Sequence, residues 1–230
     1  MDDMTLVANA TLRMNLAIHH LLGAATFARE VKAIEAEHAG EPFGEFFERI
    51  LWYSSACVLS CAAGLEAYAN EMFVDRATHF PDLPAPVADK IWELLEPKTP
   101  VEKFDMAVLL RDKSVLDRGT EPTQGVVVLT KVRNALTHFK PEWDNEQVEH
   151  AKLAKALSGR FAPSLFLPSS ESLFPRRWAS AGACEWAVTT CVEFLLAFEA
   201  KAVLHSRVRR LIVEHEQAII GAWHEHCGQR

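Results

Sequence analysis

The segment CAAGLEAYANE, residues 61–71, lies inside a helical pattern that runs from about Phe43 to His79. Its first half continues a run of Ser, Ala, Cys and Gly that extends from Ser54 to Ala69. Small side chains allow a neighbouring helix to approach closely. We therefore expect this helix to form the centre of an all-α bundle.

The other periodic segments also predict helices. The β-branched run Val126–Leu129 is typical of a strand, but the pattern continues to Leu136 without a breaker, so we predict a helix there. Thr99 and Glu102 form a capping box around Pro100 at the first helical position. Ser180 is the predicted N-cap of a long final segment. The remaining predicted elements are an N-terminal helix at 5–38, helices at 87–95 and 100–111, a short helix capped by Asp144 or Asn145 and ending near Leu157, and a C-terminal helical tail at 204–226.

These elements fit one domain spanning residues 1–230, with a core at about 45–200. A chain of 230 residues with 49% hydrophobic content is long enough to bury a substantial core. The acidic start Met1-Asp2-Asp3-Met4 lacks the layout of a secretory signal. We also expect no apolar run of the ~20 residues that cross a bilayer. The sequence therefore predicts a cytoplasmic protein with no membrane partner.

Charge and cysteine content narrow the classes of function. The net charge of −7 argues against a protein whose whole surface binds nucleic acid. Between Lys131 and Arg160, however, the net charge is +2, which suits either a local anion site or ordinary variation along solvated faces. The five cysteines lie in apolar helical runs, as in reducing compartments. Cys57 and Cys61 have a zinc-like spacing but no matching pair nearby, so we predict no metal and no cofactor.

The segment KVRNALTH, residues 131–138, combines residue types that hold a phosphate and transfer a proton. Pro141 disfavours helical geometry at the preceding residue, so its helix should end between residues 138 and 140. Arg133 and His138 are five residues apart, which places them about 140° apart around a regular helix. Asn134 and His138 share a face.

Together these segments resemble the HEPN superfamily, all-helical domains of which many are metal-independent ribonucleases. Arg133, Asn134 and His138 match its R-x(4-6)-H motif. Residues 65–71 resemble the L-E-x-[FY]-x-N-E segment that several prokaryotic HEPN families place upstream, and residues 184–188 resemble their C-terminal core helix. The resemblance covers roughly residues 45–200.

Arg133 and His138 can still converge on one phosphate if the helix loosens at Pro141 or if two protomers pair across the motif helix. The resemblance implies the second arrangement, a composite site built from both copies. His138 would then be the catalytic acid or base, Arg133 would stabilise the phosphorane charge, and Asn134 would position the phosphate or the histidine. Glu66 and Asn70 would form a supporting polar cluster.

Glu66 has two interpretations, because a carboxylate in a small-residue helix needs a cation. Arg133 is its expected partner if the two helices adjoin. Either the pair is a buried salt bridge that withholds Arg133 from substrate, or Glu66 only orients the arginine.

The sequence therefore predicts a metal-independent endoribonuclease that leaves a 2′,3′-cyclic phosphate. RNA would be its substrate, and a toxin or defence role would add an antitoxin or regulatory protein as a partner. The alternative is a non-catalytic helical module that binds nucleotide, RNA or a protein.

A homodimer is the first testable expectation. We expect the motif helix or the tail at 204–223 to form a two-fold interface, because a long exposed apolar stripe is costly in water. Light scattering of the purified protein measures the mass in solution. A monomer at micromolar concentration would exclude the composite site along with the dimer.

Overall fold

The computed structural model describes residues 14–143, 145–204, 208 and 210, of which 69% are helical. No strand occurs among these residues, so the all-α prediction is confirmed, including a helix at Val126–Leu129. A short π-helical turn at Leu173–Arg177 precedes the last helix. The α-helices of the described residues are α1 (Ala17–Glu37), α2 (Phe46–Val74), α3 (Arg76–His79), α4 (Ala85–Leu95), α5 (Pro100–Asp112), α6 (Glu121–Thr137), α7 (Glu149–Leu157) and α8 (Ala181–Lys201).

Helices α2 and α8 pack together at the centre, α1 lies along both of them, and α6 packs against α8 and α2. The close approaches occur at glycines. A side-chain carbon on Gly64 would lie 3.1 Å from the side chain of Leu21, and one on Gly125 would lie 2.6 Å from that of Thr190. The prediction that the small-residue run allows a neighbouring helix to approach closely is therefore confirmed, and that helix is α1.

Four buried thiols line the contact between α2 and α8: those of Cys57, Cys61, Cys184 and Cys191. Cys184 approaches the Ser54 hydroxyl at 3.5 Å. The contact with Cys191, followed by burial, raises the pKa of the Cys61 thiol well above its ordinary value. The pKa values of the Cys57 and Cys184 thiols are also raised, so these two residues and Cys61 act as small packing residues with little thiolate character. Among the described residues, no three His, Cys, Asp or Glu side chains are placed to hold a metal ion.

Polar side chains set the helix ends where the sequence alone did not. Residues 14–16 are not helical, so the prediction of a helix over 5–38 is wrong at its start for these residues. The reason is Glu71, whose carboxylate accepts hydrogen bonds from the backbone N–H groups of Leu16 (2.7 Å) and Ala17 (2.9 Å) and so begins α1 there. The capping box of Thr99 and Glu102 and the Ser180 cap are both present as predicted.

Helix α8 ends at Lys201, and Arg111 explains the end. Its guanidinium donates to the carbonyl oxygens of Ala202 (2.6 Å) and Val203 (3.1 Å), and Val203 adopts a positive φ of 51°. The predicted tail at 204–226 lies almost wholly outside the described residues. The second predicted helix, 43–79, is divided at Asp75 into α2 and α3.

The segment LEAYANE ties three other helices to α2. The ammonium of Lys103 on α5, only 1% exposed, donates to Glu66 and to Asn70 (2.8 Å), and lies 5.5 Å from the centre of the Trp92 ring. The Tyr68 hydroxyl donates to Glu199 on α8 at 2.6 Å. Together with the contacts of Glu71, these bonds connect α2 to α5, α8 and α1.

The expected pairing of Glu66 with Arg133 is therefore wrong. The two residues do lie on helices that pack against each other, as predicted. A cation that the sequence argument did not consider, Lys103, takes the carboxylate instead. Glu66 and Asn70 form a polar cluster, but their hydrogen bonds go to α5 and not to the motif.

The expectation of no membrane-length apolar segment is also wrong, since α2 and α8 are each long and apolar enough to cross a bilayer by length and composition. In the structure these two helices pack against each other in the core. Core helices of soluble proteins meet the same criterion, so the finding is weak evidence for a membrane.

The ion pair between Glu66 and Lys103 yields a stability prediction. We expect Glu66→Ala to lower the free energy of unfolding by roughly 2–3 kcal/mol, somewhat less than the loss of a fully buried partner because Glu66 is 32% exposed. The matched control is Glu93→Ala, which removes the exposed ion pair with Lys90 and should cost about 0–1 kcal/mol. Urea unfolding measures both variants. Equal losses would contradict a stabilising role for the buried pair.

Candidate functional site

The predicted motif lies at the C-terminal end of α6. Val126, Leu129 and Val132 bury one side of this helix in the core. The helix ends at Thr137, and His138 is its C-cap, with φ −116° and ψ 42°. The backbone N–H of His138 donates to the backbone carbonyl oxygen of Asn134 at 2.9 Å. The prediction of a helix end just before Pro141 is confirmed.

Of the three predicted catalytic residues, only His138 lines a cavity formed by the described residues of its own chain. His138 is exposed and lines a cavity, together with Lys131 and Ala135 on the same face of α6. Arg133 and Asn134 are absent from that lining. The Arg133 side chain is half-buried and forms no ion pair or side-chain hydrogen bond with another described residue. The predicted angular separation of Arg133 from His138 agrees with this arrangement.

The cavity beside His138 has a volume of about 400 Å³ and lies between α6, α7 and the turn at Leu173–Arg177. Ala135, Leu153, Ala156 and Phe174 make its walls apolar. Its charged and titratable lining residues are Lys131, His138, Lys140, Glu142, Glu149, His150 and Lys152.

The charges around the cavity leave a local excess of positive charge. Glu149 holds the Lys152 ammonium at 2.6 Å, and the Glu142 carboxylate is bound to backbone N–H groups. Lys131 and Lys140 form no ion pair with any residue that the structure describes. This rim suits an anionic ligand such as a phosphate, which lysine binds as a point charge.

Glu142 holds the N-terminus of α7 in place. Its two carboxylate oxygens accept hydrogen bonds from the N–H groups of Val148, Glu149 and His150, each at 3.0 Å. The N-cap of α7 is Val148, so the predicted cap by Asn145 is wrong, and the alternative, Asp144, lies outside the described residues. A carboxylate six to eight residues upstream of the three N–H donors satisfies them and begins the helix.

His150 is the residue at this site that sequence reasoning missed. Its ring is only 6% exposed, stacks on Phe139 at 5.4 Å and meets the edge of Phe174 at 5.0 Å. Its Nε2 lies 3.0 Å from the carbonyl oxygen of Lys140. His150 begins the buried face of α7 that continues at Leu153 and Leu157, a pattern that predicts a core position. Proximity to His138 arises from the chain reversal after Pro141, which helical spacing does not encode.

A comparison with known proteins found no matching family model, curated protein or solved structure. The function of the chain is therefore inferred from the geometry of the cavity and from its residues.

The Glu142 cap predicts a pH-dependent stability of α7. The hydrogen bond from the His150 N–H, with those from Glu149 and Val148, lowers the pKa of the Glu142 carboxyl below its ordinary value. The stabilisation is therefore complete above the ordinary carboxyl pKa of about 4.3 and is lost as pH falls through the lowered folded value. At neutral pH, we expect Glu142→Ala to speed hydrogen exchange at the amides of residues 148–150.

The control for this measurement is Glu146→Ala, an exposed carboxylate in the same loop. It should leave the exchange at residues 148–150 unchanged. The difference between wild type and Glu142→Ala should shrink below about pH 4. A difference that persists undiminished at pH 2 would show that the carboxylate charge is not what caps the helix.

Proposed function

We propose that the protein is a metal-independent endoribonuclease of the HEPN type in which His138 transfers a proton. The observation that carries the proposal is the position of His138, exposed at the end of α6 on the rim of a cavity with two lysines that form no ion pair with a described residue. A histidine titrates near neutral pH, and the neighbouring ammonium groups suit a phosphodiester. The resemblance of residues 131–138 and 65–71 to HEPN segments adds support.

The reaction would proceed by attack of the ribose 2′-oxygen on the adjacent phosphorus. A base removes the 2′-hydroxyl proton, the new O2′–P bond forms, and the P–O5′ bond breaks. An acid gives a proton to the departing 5′-oxygen, which leaves a 2′,3′-cyclic phosphate on one product. The imidazole of His138 would serve as one of these two proton-transfer groups, while Lys131 and Lys140 offset the charge on the phosphorane.

Arg133 and Asn134 would act from the second protomer of a homodimer. The half-buried Arg133 guanidinium has no ion pair among the described residues and lies on another face of α6. In a two-fold arrangement about α6, the guanidinium of one copy would complete the cavity of the other. The biological setting would be a cytoplasmic toxin or defence nuclease restrained by an antitoxin or regulatory protein.

A second function, binding of nucleotide or RNA without cleavage, is favoured by one observation. Arg133 and Asn134 do not line the cavity of their own chain. If no second copy supplies them, the cavity has cations and two histidines but lacks the arginine fork that stabilises a phosphorane.

The test is cleavage of single-stranded RNA in the presence of EDTA. We expect wild-type protein to cleave. We expect His138→Ala to lose about 10²–10⁴-fold in rate, as is typical when an acid or base is removed. Arg133→Ala should lose about 10²–10³-fold, as is typical when a group that stabilises developing negative charge is removed. Circular dichroism verifies that both variants stay folded. A gel assay of a labelled oligonucleotide follows the rate, and the products should carry 2′,3′-cyclic phosphate ends.

The matched controls are His19→Ala and Arg49→Ala, which remove an exposed histidine and an exposed arginine from α1 and α2. Both should cleave at the wild-type rate. If Arg133→Ala unfolds the chain while His138→Ala still cleaves, the arginine is structural and catalysis by this motif is excluded. Binding of RNA without cleavage by the wild type would support the non-catalytic function.

A further inference from the structure

A second cavity, of about 440 Å³, lies between the start of α6, the segment that follows α7, and α8. It follows one face of α8, because its lining residues on that helix recur at intervals of three or four positions: Gly182, Glu185, Trp186, Thr189, Thr190 and Glu193. It shares no lining residue with the cavity beside His138. A ligand in this second cavity would therefore occupy a site distinct from the proposed nuclease site.

Two aromatic rings form one wall of the second cavity. The rings of Phe161 and Trp186 lie 5.5 Å apart, and both side chains are half-buried. The hydroxyl of Ser180 donates to the carbonyl oxygen of Ala162 at 2.8 Å, and a side-chain carbon on Gly182 would lie 2.6 Å from that oxygen. These contacts hold Phe161 beside the indole. Aromatic faces attract organic cations and also pack against alkyl chains.

The carboxylates leave the second cavity with negative charge. Arg160 forms an ion pair with Glu121 at 2.6 Å, so these two charges offset each other. Glu185 and Glu193 are exposed and form no ion pair with any residue that the structure describes. They are eight residues apart, which separates them by about 12 Å along the helix axis. In the described part of the chain, no three His, Cys, Asp or Glu side chains are placed to hold a metal ion. Two ammonium groups on one flexible chain, in contrast, can reach both carboxylates.

A buried hydroxyl lies between these carboxylates along α8. Thr190 is only 6% exposed and lines the second cavity. The hydroxyl of its neighbour Thr189 donates to the carbonyl oxygen of Glu185 at 2.7 Å, but that of Thr190 has no hydrogen-bond partner among the described residues. Buried polar groups are nearly always paired, so a ligand with an N–H group would supply the missing partner.

We propose that the second cavity binds a linear aliphatic polyamine. Its alkyl chain would lie across Phe161 and Trp186. Its terminal ammonium groups would pair with Glu185 and Glu193, and an amine between them would donate to Thr190. A monoamine would leave one carboxylate without a partner, and a metal ion would leave the aromatic wall uncovered. The volume of about 440 Å³ falls within the range of about 300–1,000 Å³ that small-molecule sites occupy.

Titration calorimetry of the full-length chain with spermidine measures the binding. The comparison ligands are butylamine, which carries one ammonium group, Mg²⁺, and a pentalysine peptide. We expect spermidine to bind at least about fivefold more tightly than butylamine or Mg²⁺, the upper value for one exposed ion pair. Equal affinities would overturn the proposal. Tighter binding of the peptide than of spermidine would also overturn it, because the site would then suit a protein partner.

Two double variants test the carboxylates with the same change of net charge. Glu185→Gln combined with Glu193→Gln should weaken spermidine binding about three- to twentyfold, since two exposed ion pairs are lost. The matched control is Glu30→Gln combined with Glu37→Gln, which removes two exposed carboxylates from α1 and should bind like wild type. Equal losses in the two double variants would refute the site, because general attraction to a negative chain would then explain the binding.

Trp186→Leu tests the aromatic wall without a change of charge. It should weaken spermidine binding about two- to thirtyfold, the contribution of a cation near an indole face. The control is Trp52→Leu, at an exposed position on α2, which should bind like wild type. Circular dichroism verifies that both variants stay folded, and if Trp186→Leu unfolds, the double variants still decide. A folded Trp186→Leu variant with wild-type affinity would exclude this cavity as the polyamine site.

Discussion

The buried ammonium of Lys103 constrains the whole arrangement of the bundle. An uncompensated charge in a protein interior is very costly, so α5 has to place this group within reach of Glu66 and Asn70. The two acceptors are four residues apart on α2, which sets both the height and the rotation of α5 against that helix. Tyr68 and Glu71, between and beyond them, fix α8 and the start of α1 in the same way. One helical segment thus carries directional bonds to three neighbours.

Close contacts between helices then determine where α6 and the cavity beside it lie. Protein interiors are close-packed, and at Gly64 and Gly125 the neighbouring helix lies so near that a side-chain carbon would come within 3.1 Å and 2.6 Å of it. Through Gly125, the position of α8 determines that of α6, and α6 ends at His138. Beyond the helix, two hydrogen bonds join the following segment to α7. The Glu142 carboxylate accepts from the His150 backbone N–H, and the His150 ring donates to the Lys140 carbonyl oxygen. His138 is therefore an exposed residue at the end of a helix whose other side is buried in the core.

Most of the helices and several of their ends followed from local patterns. The capping box at Thr99, the Ser180 cap and the stop before Pro141 are governed by residues close in sequence, so they were predicted. The start of α1 was not, because the carboxylate that sets it is 55 residues away. Helical spacing separated Arg133 from His138 correctly, since that angle is a property of one helix.

The spacing of residues in the sequence did not identify which side chains on different helices bond to each other. Glu66 needs a cation, which composition indicates, but choosing Lys103 over Arg133 requires knowing which helix faces it. His150 was missed for the same reason, since its position beside His138 depends on a chain reversal. Directional contacts between distant residues therefore account for the errors, and local backbone preferences account for the successes.

The cap formed by Glu142 has a consequence for how the chain tolerates changes in length. Residues 138–142 are held at fixed distances by His150 and by the N-terminus of α7, so an inserted residue there would displace His138 from the cavity. Between Glu142 and Val148, by contrast, the carboxylate of the first residue bonds directly to the N–H of the second. The hydrogen bond therefore does not depend on the length of the chain between them. Lengthening a surface loop costs little, about 0.6 kcal/mol for each doubling. Insertions and deletions among relatives of this chain should accordingly collect on one side of Glu142 and be rare on the other.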